Sequence, residues 1–175
     1  DNNGSADTGL FIITSATTIN RLRLERGNGG GHTNNGGGAI YAQANLSLNE
    51  CTFSNNTAQG DPSNFGDGGA VIAAAGTLTV NQCTFSNNSS TQPDFNAGGA
   101  GGALAVYPGV TATINNSTFV GNTSTSLFDG GGAVANFGTT TINNSTFNNN
   151  QANDAGFFAS TGGGAILNYA TLTLQ

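Results

Sequence analysis

Few residues in this chain have side chains suited to chemistry. There is one histidine, His32, two cysteines, Cys51 and Cys83, and three arginines, Arg21, Arg23 and Arg26, all near the start. His32 sits in a glycine-rich stretch and reads as a solvated loop residue. Asp67 and Asp129, each just before a Gly pair, are the two carboxylates that could converge as acid and base, the arrangement glycoside hydrolysis requires. No motif fixes their geometry, so the chain reads as a non-enzyme, with no catalytic residue assigned. Asp61, Asp67, Asp94, Asp129 and Asp154 all fall between repeated segments, and calcium is the one cofactor such oxygen donors would suit. Neither the EF-hand spacing nor a Gly-Gly-x-Gly-x-Asp nonapeptide repeat occurs, so solvated acidic loops are the preferred reading. Cys51 and Cys83 leave a disulfide and two buried free thiols evenly matched, and two thiols alone do not make a zinc site.

Composition narrows the function classes further. The 175 residues carry a formal charge of −6 and only 7% charged residues, with 28 Gly and neither Met nor Trp. An acidic chain without lysine lacks the cationic clusters that bind phosphate backbones, so no nucleic-acid partner is expected. No apolar run approaches the roughly 20 residues that span a bilayer, so no membrane insertion is expected either. The missing initiator Met suggests a processed or excised chain. Richness in Asn, Thr, Ser and Gly points to a secreted or cell-surface protein of bacterial type.

The elements that hold these residues repeat. Gly-Gly-Ala-aliphatic recurs with its Ala at Ala39, Ala70, Ala103, Ala133 and Ala165, in steps of 31, 33, 30 and 32 residues. Each copy but the last is followed by a Phe-x-x-Asn tetrad, beginning at Phe53, Phe85, Phe119 and Phe147. Such a period marks a solenoid, whose units bury their apolar faces only by stacking. Segments such as Leu46-Ser-Leu48 and Leu78-Thr-Val80 alternate with period two, which turns their first and third residues inward. The same alternation puts Cys51, Phe53, Cys83 and Phe85 inside, and stacking places Phe53, Phe85, Phe119 and Phe147 in one structural core column. Asn56, Asn88, Asn122 and Asn150 form a structural amide ladder and supply a left-handed turn. The Gly pairs are expected to provide positive φ and room for a sharp turn beneath the coil above. Three short strands per coil is the expected count, with variable loops 57–67, 89–100, 123–130 and 151–162 on one edge. Phe65, Phe95, Phe128, Phe157 and Phe158 in those loops read as a self-packed cluster. Asn-x-Ser/Thr triplets such as Asn122-Thr-Ser124 arise readily from this composition and carry little weight.

The alternation of Gly-Gly-Ala-aliphatic with Phe-x-x-Asn resembles the repeats of the chlamydial polymorphic membrane proteins and related bacterial right-handed parallel β-helix proteins. The resemblance implies an all-β fold, a right-handed parallel β-helix of about six coils with three short strands each, serving as a passenger-type surface domain that is often adhesive. Other right-handed β-helix proteins cleave polysaccharides, which makes a carbohydrate-active β-helix one alternative. A second comes from Thr77-Leu-Thr79, Thr111-Ala-Thr113, Thr139-Thr-Thr141 and Thr171-Leu-Thr173, which align as outward Thr pairs on one flat face. These ranks resemble the ice-binding faces of solenoid antifreeze proteins, although Thr is also simply a good strand residue on a solvated face.

The reading is therefore a polar segment over 1–8 and a single β-helix domain over 9–175 whose last coil is incomplete. It is expected to act as an extracellular structural or adhesive element, without catalysis, with a host or matrix glycan or protein as partner. Neither end is expected to be capped, and apolar Leu172 and Leu174 are set to stack on a second copy, building a stalk or filament.

Overall fold

The computed structural model describes residues 9–29, 37–59, 68–92, 101–126, 130–154 and 162–175. These form a parallel solenoid of four sheets. The first sheet stacks Phe11–Ile13, Ile40–Ala42, Val71–Ala73, Leu104–Val106, Val134–Asn136 and Ile166–Asn168. The second stacks Thr17–Asn20, Leu46–Asn49, Thr77–Asn81, Thr111–Asn115, Thr139–Asn143 and Thr171–Leu174. The third holds Arg23–Glu25, Thr52–Ser54, Thr84–Ser86, Thr118–Val120 and Thr146–Asn148, and the fourth Thr57–Gln59, Ser89–Gln92, Thr123–Ser126 and Gln151–Asp154.

Among the described residues each complete coil thus has four strands, not the expected three, and four such coils lie between one coil with three strands and one with two. The fourth strand begins the segments expected to be loops. Its inward residues, Ala58, Ser90 and Ser124, are buried but too small to announce an apolar alternation. They must be small because the strand runs against the Gly-Gly corner. A Cβ on Gly38 would collide with the backbone of Thr57, one on Gly69 with Ser89, and one on Gly102 with Thr123. A Cβ on Gly69 would also strike the carbonyl oxygen of Gly102 in the next coil. Close approach is therefore what demands Gly here. Positive φ, also expected of these pairs, occurs at other glycines, Gly76, Gly109 and Gly121.

The core is a set of columns. Phe53, Phe85, Phe119 and Phe147 stack in register with ring centroids 4.7 Å apart and near-parallel planes. Leu24 occupies the same column one coil earlier, paired with Phe53. Leu46, Leu48, Leu78, Val80, Ala112 and Ile114 are buried from the second sheet. Thr140 takes an inward site in that row, and its hydroxyl donates to Asn136 Oδ1 at 2.7 Å, which keeps the buried polar group paired.

The turns are made by two columns of left-handed residues. Asn55, Asn87, Gly121 and Asn149, the third residue of each tetrad, have φ of 51° to 64°. The left-handed role expected of the terminal Asn thus belongs to its predecessor, while the terminal Asn is buried. The second column, Arg21, Glu50, Gln82, Asn116 and Asn144, turns the chain from the second sheet into the third, with φ of 47° to 54°.

Candidate functional site

With the interior packed, chemistry accessible to a partner lies outside. The outward face of the second sheet is regular from coil to coil. Strand pairing sets Thr77, Thr111, Thr139 and Thr171 in one rank and Thr79, Thr113, Thr141 and Thr173 in a second. Thr18 and Ser47 extend the second rank to six hydroxyls. A third rank is amide, formed by Asn20, Asn49, Asn81, Asn115 and Asn143. In this rank Asn49 Nδ2 donates to Asn20 Oδ1 (2.8 Å), Asn81 to Asn49 (2.9 Å), Asn115 to Asn81 (2.8 Å) and Asn143 to Asn115 (2.7 Å). An amide has two N–H donors and two lone pairs, so the ladder uses half of what Asn49, Asn81 and Asn115 offer.

Beyond the ladder the left-handed corner residues stand outward, and the two rows border an open groove of about 890 Å³ along the axis. Glu50, a charged residue of its lining, pairs with exposed Arg21 at 3.1 Å. The ladder is anchored from inside by the Cys/Ser column. Cys51 Sγ lies 3.3 Å from the Asn49 carbonyl and Cys83 Sγ 3.3 Å from that of Asn81, and Ser117 Oγ donates to the Asn115 carbonyl at 2.8 Å.

On the opposite margin of the Thr ranks, at the turn from the first sheet into the second, lies a column of aromatic residues. Tyr107, Phe137 and Tyr169 each donate their backbone N–H to the coil before, to the carbonyls of Ala73, Val106 and Asn136, all at 2.9 Å. They therefore hold equivalent positions in consecutive coils. The rings of Phe137 and Tyr169 stack at 5.6 Å, and Tyr169 is 57% exposed.

A family model described as a right-handed beta helix region matches residues 2–172. The chain belongs to the right-handed β-helix family. No curated protein and no solved structure matches it. Crossovers between parallel strands are right-handed almost without exception, which fits the four-sheet coil.

The residues singled out in the sequence fall at several places on this β-helix. The inner ladder, Asn56, Asn88, Asn122 and Asn150, is buried at the corner between the third and fourth sheets, with Asn150 half-buried at the end. Cys51 and Cys83 are adjacent but free thiols, so the disulfide alternative is not realised. Their side chains point in parallel along the stack, and the Cys51 N–H donates to Cys83 Sγ at 3.4 Å. Burial pushes the Cys83 thiol up to about 11. Leu172 is half-buried against the core, and Leu174 is exposed. His32, the loop aromatics Phe65, Phe95, Phe128, Phe157 and Phe158, and Asp61, Asp67, Asp94 and Asp129 lie outside the described residues. Asp154 ends a strand of the fourth sheet. Among the described residues no group of three or more His, Cys, Asp or Glu comes together. Sequence reasoning missed the amide rank and the aromatic column. Both carried the repeat period, since Tyr107, Phe137 and Tyr169 are 30 and 32 residues apart.

Proposed function

We propose that this β-helix is a non-catalytic structural and adhesive element of a secreted or cell-surface protein. The observation that carries the reading is the repetition, coil after coil, of neutral hydroxyl and amide ranks on the second sheet. Catalysis needs one convergent set of groups at one place. A surface that offers the same donors and acceptors every coil suits an extended partner held by many equivalent contacts, whose strength grows with the number engaged. Family membership alone does not choose between an enzyme and a non-enzyme. The alternating Gly-Gly-Ala-aliphatic and Phe-x-x-Asn signals support the narrower likeness to passenger repeats of the chlamydial polymorphic membrane proteins.

End-to-end stacking belongs to the same proposal. Thr146–Asn148 and Gln151–Asp154 are edge strands, and at the opposite edge Phe11 and Ile12 are 40% and 67% exposed. Such edges accept another strand, from a second copy or from the same polypeptide continued.

Beads coated with the chain and washed under flow over collagen, cell monolayers and isolated bacterial cell walls test adhesion. At least one surface should hold several-fold more of them than of albumin-coated beads. Retention equal to albumin on all three removes the adhesive reading. In sedimentation velocity the species should grow with concentration, whereas a monomer at every concentration removes the filament.

A further inference from the structure

The period of the second sheet's outward face selects its partner, and the inference rests on the reading above of that face as a surface for many equivalent contacts. We propose that this face pairs side by side with the same face of a second copy of this chain. Its hydroxyl and amide ranks repeat once per coil, at the parallel-strand spacing of about 4.8 Å. A globular partner without that repeat meets one or two coils in register and misses the rest. A second copy carries the same period by construction, so with the coil axes aligned every coil finds its counterpart. The strands Thr77–Asn81, Thr111–Asn115 and Thr139–Asn143 have five residues and present three outward ranks, against two from the three-residue strands Thr84–Ser86 and Thr118–Val120 of the third sheet. Asn81 and Asn115 each keep one donor and one acceptor beyond those the ladder uses, so the amide rank can still bond across to another molecule.

Charge and area fit the same partner. The chain carries a formal charge of −6, so two copies repel wherever their acidic residues face each other. No charged residue stands in the three ranks, and at the adjoining corner Arg21 and Glu50 pair with one another. Two copies therefore meet here without that repulsion. Six strands about 4.8 Å apart and about 16 Å long cover about 450 Å², or about 900 Å² from both copies. Stable interfaces bury roughly 1,200–2,000 Å², so this pair is of the weak, transient class. It gains strength where many copies sit on one surface, because each added contact is then intramolecular. Since the face meets itself, the contact is isologous and closes at two, whereas end-to-end stacking continues.

Opposite charges placed on this face test the pairing. In sedimentation velocity the mean mass of the wild type should rise with concentration. Thr113→Glu and Thr113→Arg, each alone, should weaken association at least fivefold. An equal mixture of the two should regain at least the wild-type level, which only a face that meets itself allows. Thr79→Glu and Thr79→Arg repeat the test one coil earlier. Thr118→Glu, on the outer face of the third sheet, should change association less than twofold, with circular dichroism confirming that every variant folds. Association insensitive to the Thr113 and Thr79 changes, or a mixture as weak as its components, overturns the proposal and leaves association to the ends. A wild type that is monomeric at every concentration also overturns it, and thermal hysteresis from that monomer assigns the face to ice. If coated beads adhere under flow while the charge mixture fails, the adhesive reading stands and this inference falls. If the mixture recovers while the beads are held no better than albumin-coated ones, the inference stands and the adhesive reading falls.

Discussion

Asn56, Asn88, Asn122 and Asn150 run up the inside of one corner, and Asn20, Asn49, Asn81, Asn115 and Asn143 run up the outside of another. Both columns use the coil spacing, and in both each amide reaches the next. The difference lies in what else they hold. Inside, Asn88 Nδ2 donates to the Phe53 carbonyl (3.1 Å) and to Asn122 Oδ1 (3.0 Å), while its Oδ1 accepts from the backbone N–H (3.0 Å) and Nδ2 (2.9 Å) of Asn56. Every donor and acceptor of that side chain is used, and two of its four partners are backbone groups of the preceding coil. Outside, the ladder bonds join side chain to side chain only. Equal spacing thus produces a ladder in either place, but an amide becomes part of the fold only where it satisfies buried backbone.

The comparison breaks first at Asn88. Replacing it by Ala leaves the Phe53 carbonyl, the Asn56 N–H and two neighbouring amide groups short of a partner, in a site without exposure. Each buried unsatisfied group costs about 1–3 kcal/mol, so a loss of roughly 4 kcal/mol is expected. Phe85→Ala, which opens a cavity in the ring column, should cost about 3–5 kcal/mol. Thr84→Ala, outward in the same strand, should stay within about 0.5 kcal/mol. Urea melts of the three variants read this directly, and a Thr84 effect as large as the Phe85 effect would show the inward register to be wrong.

The contrast also explains which parts of the molecule the sequence made legible. Large inward residues on a period of two identify themselves, so the Phe column, the Leu-Thr-Val strands and even Leu24 standing in for Phe can be read directly. The fourth strand could not be, because contact with the Gly corner restricts its inward positions to Ala and Ser, which look like loop. The glycines are conspicuous in sequence, but their reason is close approach to the neighbouring coil, which only three-dimensional proximity reveals. The outer Asn follows each Leu-Thr-Val in the repeat, yet a surface Asn before a turn has an ordinary local explanation. Its partner is about 30 residues away and leaves no separate mark. The aromatic column hid in changing residue types, Tyr, Phe and Tyr, and in a changing distance to the next Thr, four residues at Tyr107 and two at the others.

A smaller effect tests the inner side of the same outer corner. The Cys83 thiol has its pKa raised by burial from 9.0 to about 11. Between those values the unfolded chain gives up a proton that the folded chain keeps, so the stability linked to this thiol is complete below about pH 9 and is lost as pH rises toward 11. The urea midpoint should therefore fall across that window, and Cys83→Ser should flatten the fall, since Ser117 already fills the equivalent place one coil on. An unchanged slope in Cys83→Ser would mean that the thiol is reached by solvent and that the column beneath the amide rank is looser than its hydrogen bonds imply.

Of the two amide ladders, the smaller expected effect on stability is at Asn81, in the outer rank. Asn81→Ala removes an acceptor from Asn115 Nδ2 and a donor from Asn49 Oδ1, both side-chain groups at a surface where water can replace the lost partner. Its backbone carbonyl still faces Cys83 Sγ from within, so the turn at Gln82 keeps its support. A loss below about 1 kcal/mol is expected, the size of one ordinary hydrogen bond, against roughly four times that for Asn88→Ala. If urea melts give the two variants equal losses, the outer rank is as structural as the inner one, and its donors are committed to the fold. If Asn81→Ala is nearly silent in stability but lowers the retention of coated beads under flow, the outer rank is kept for what it meets outside the molecule.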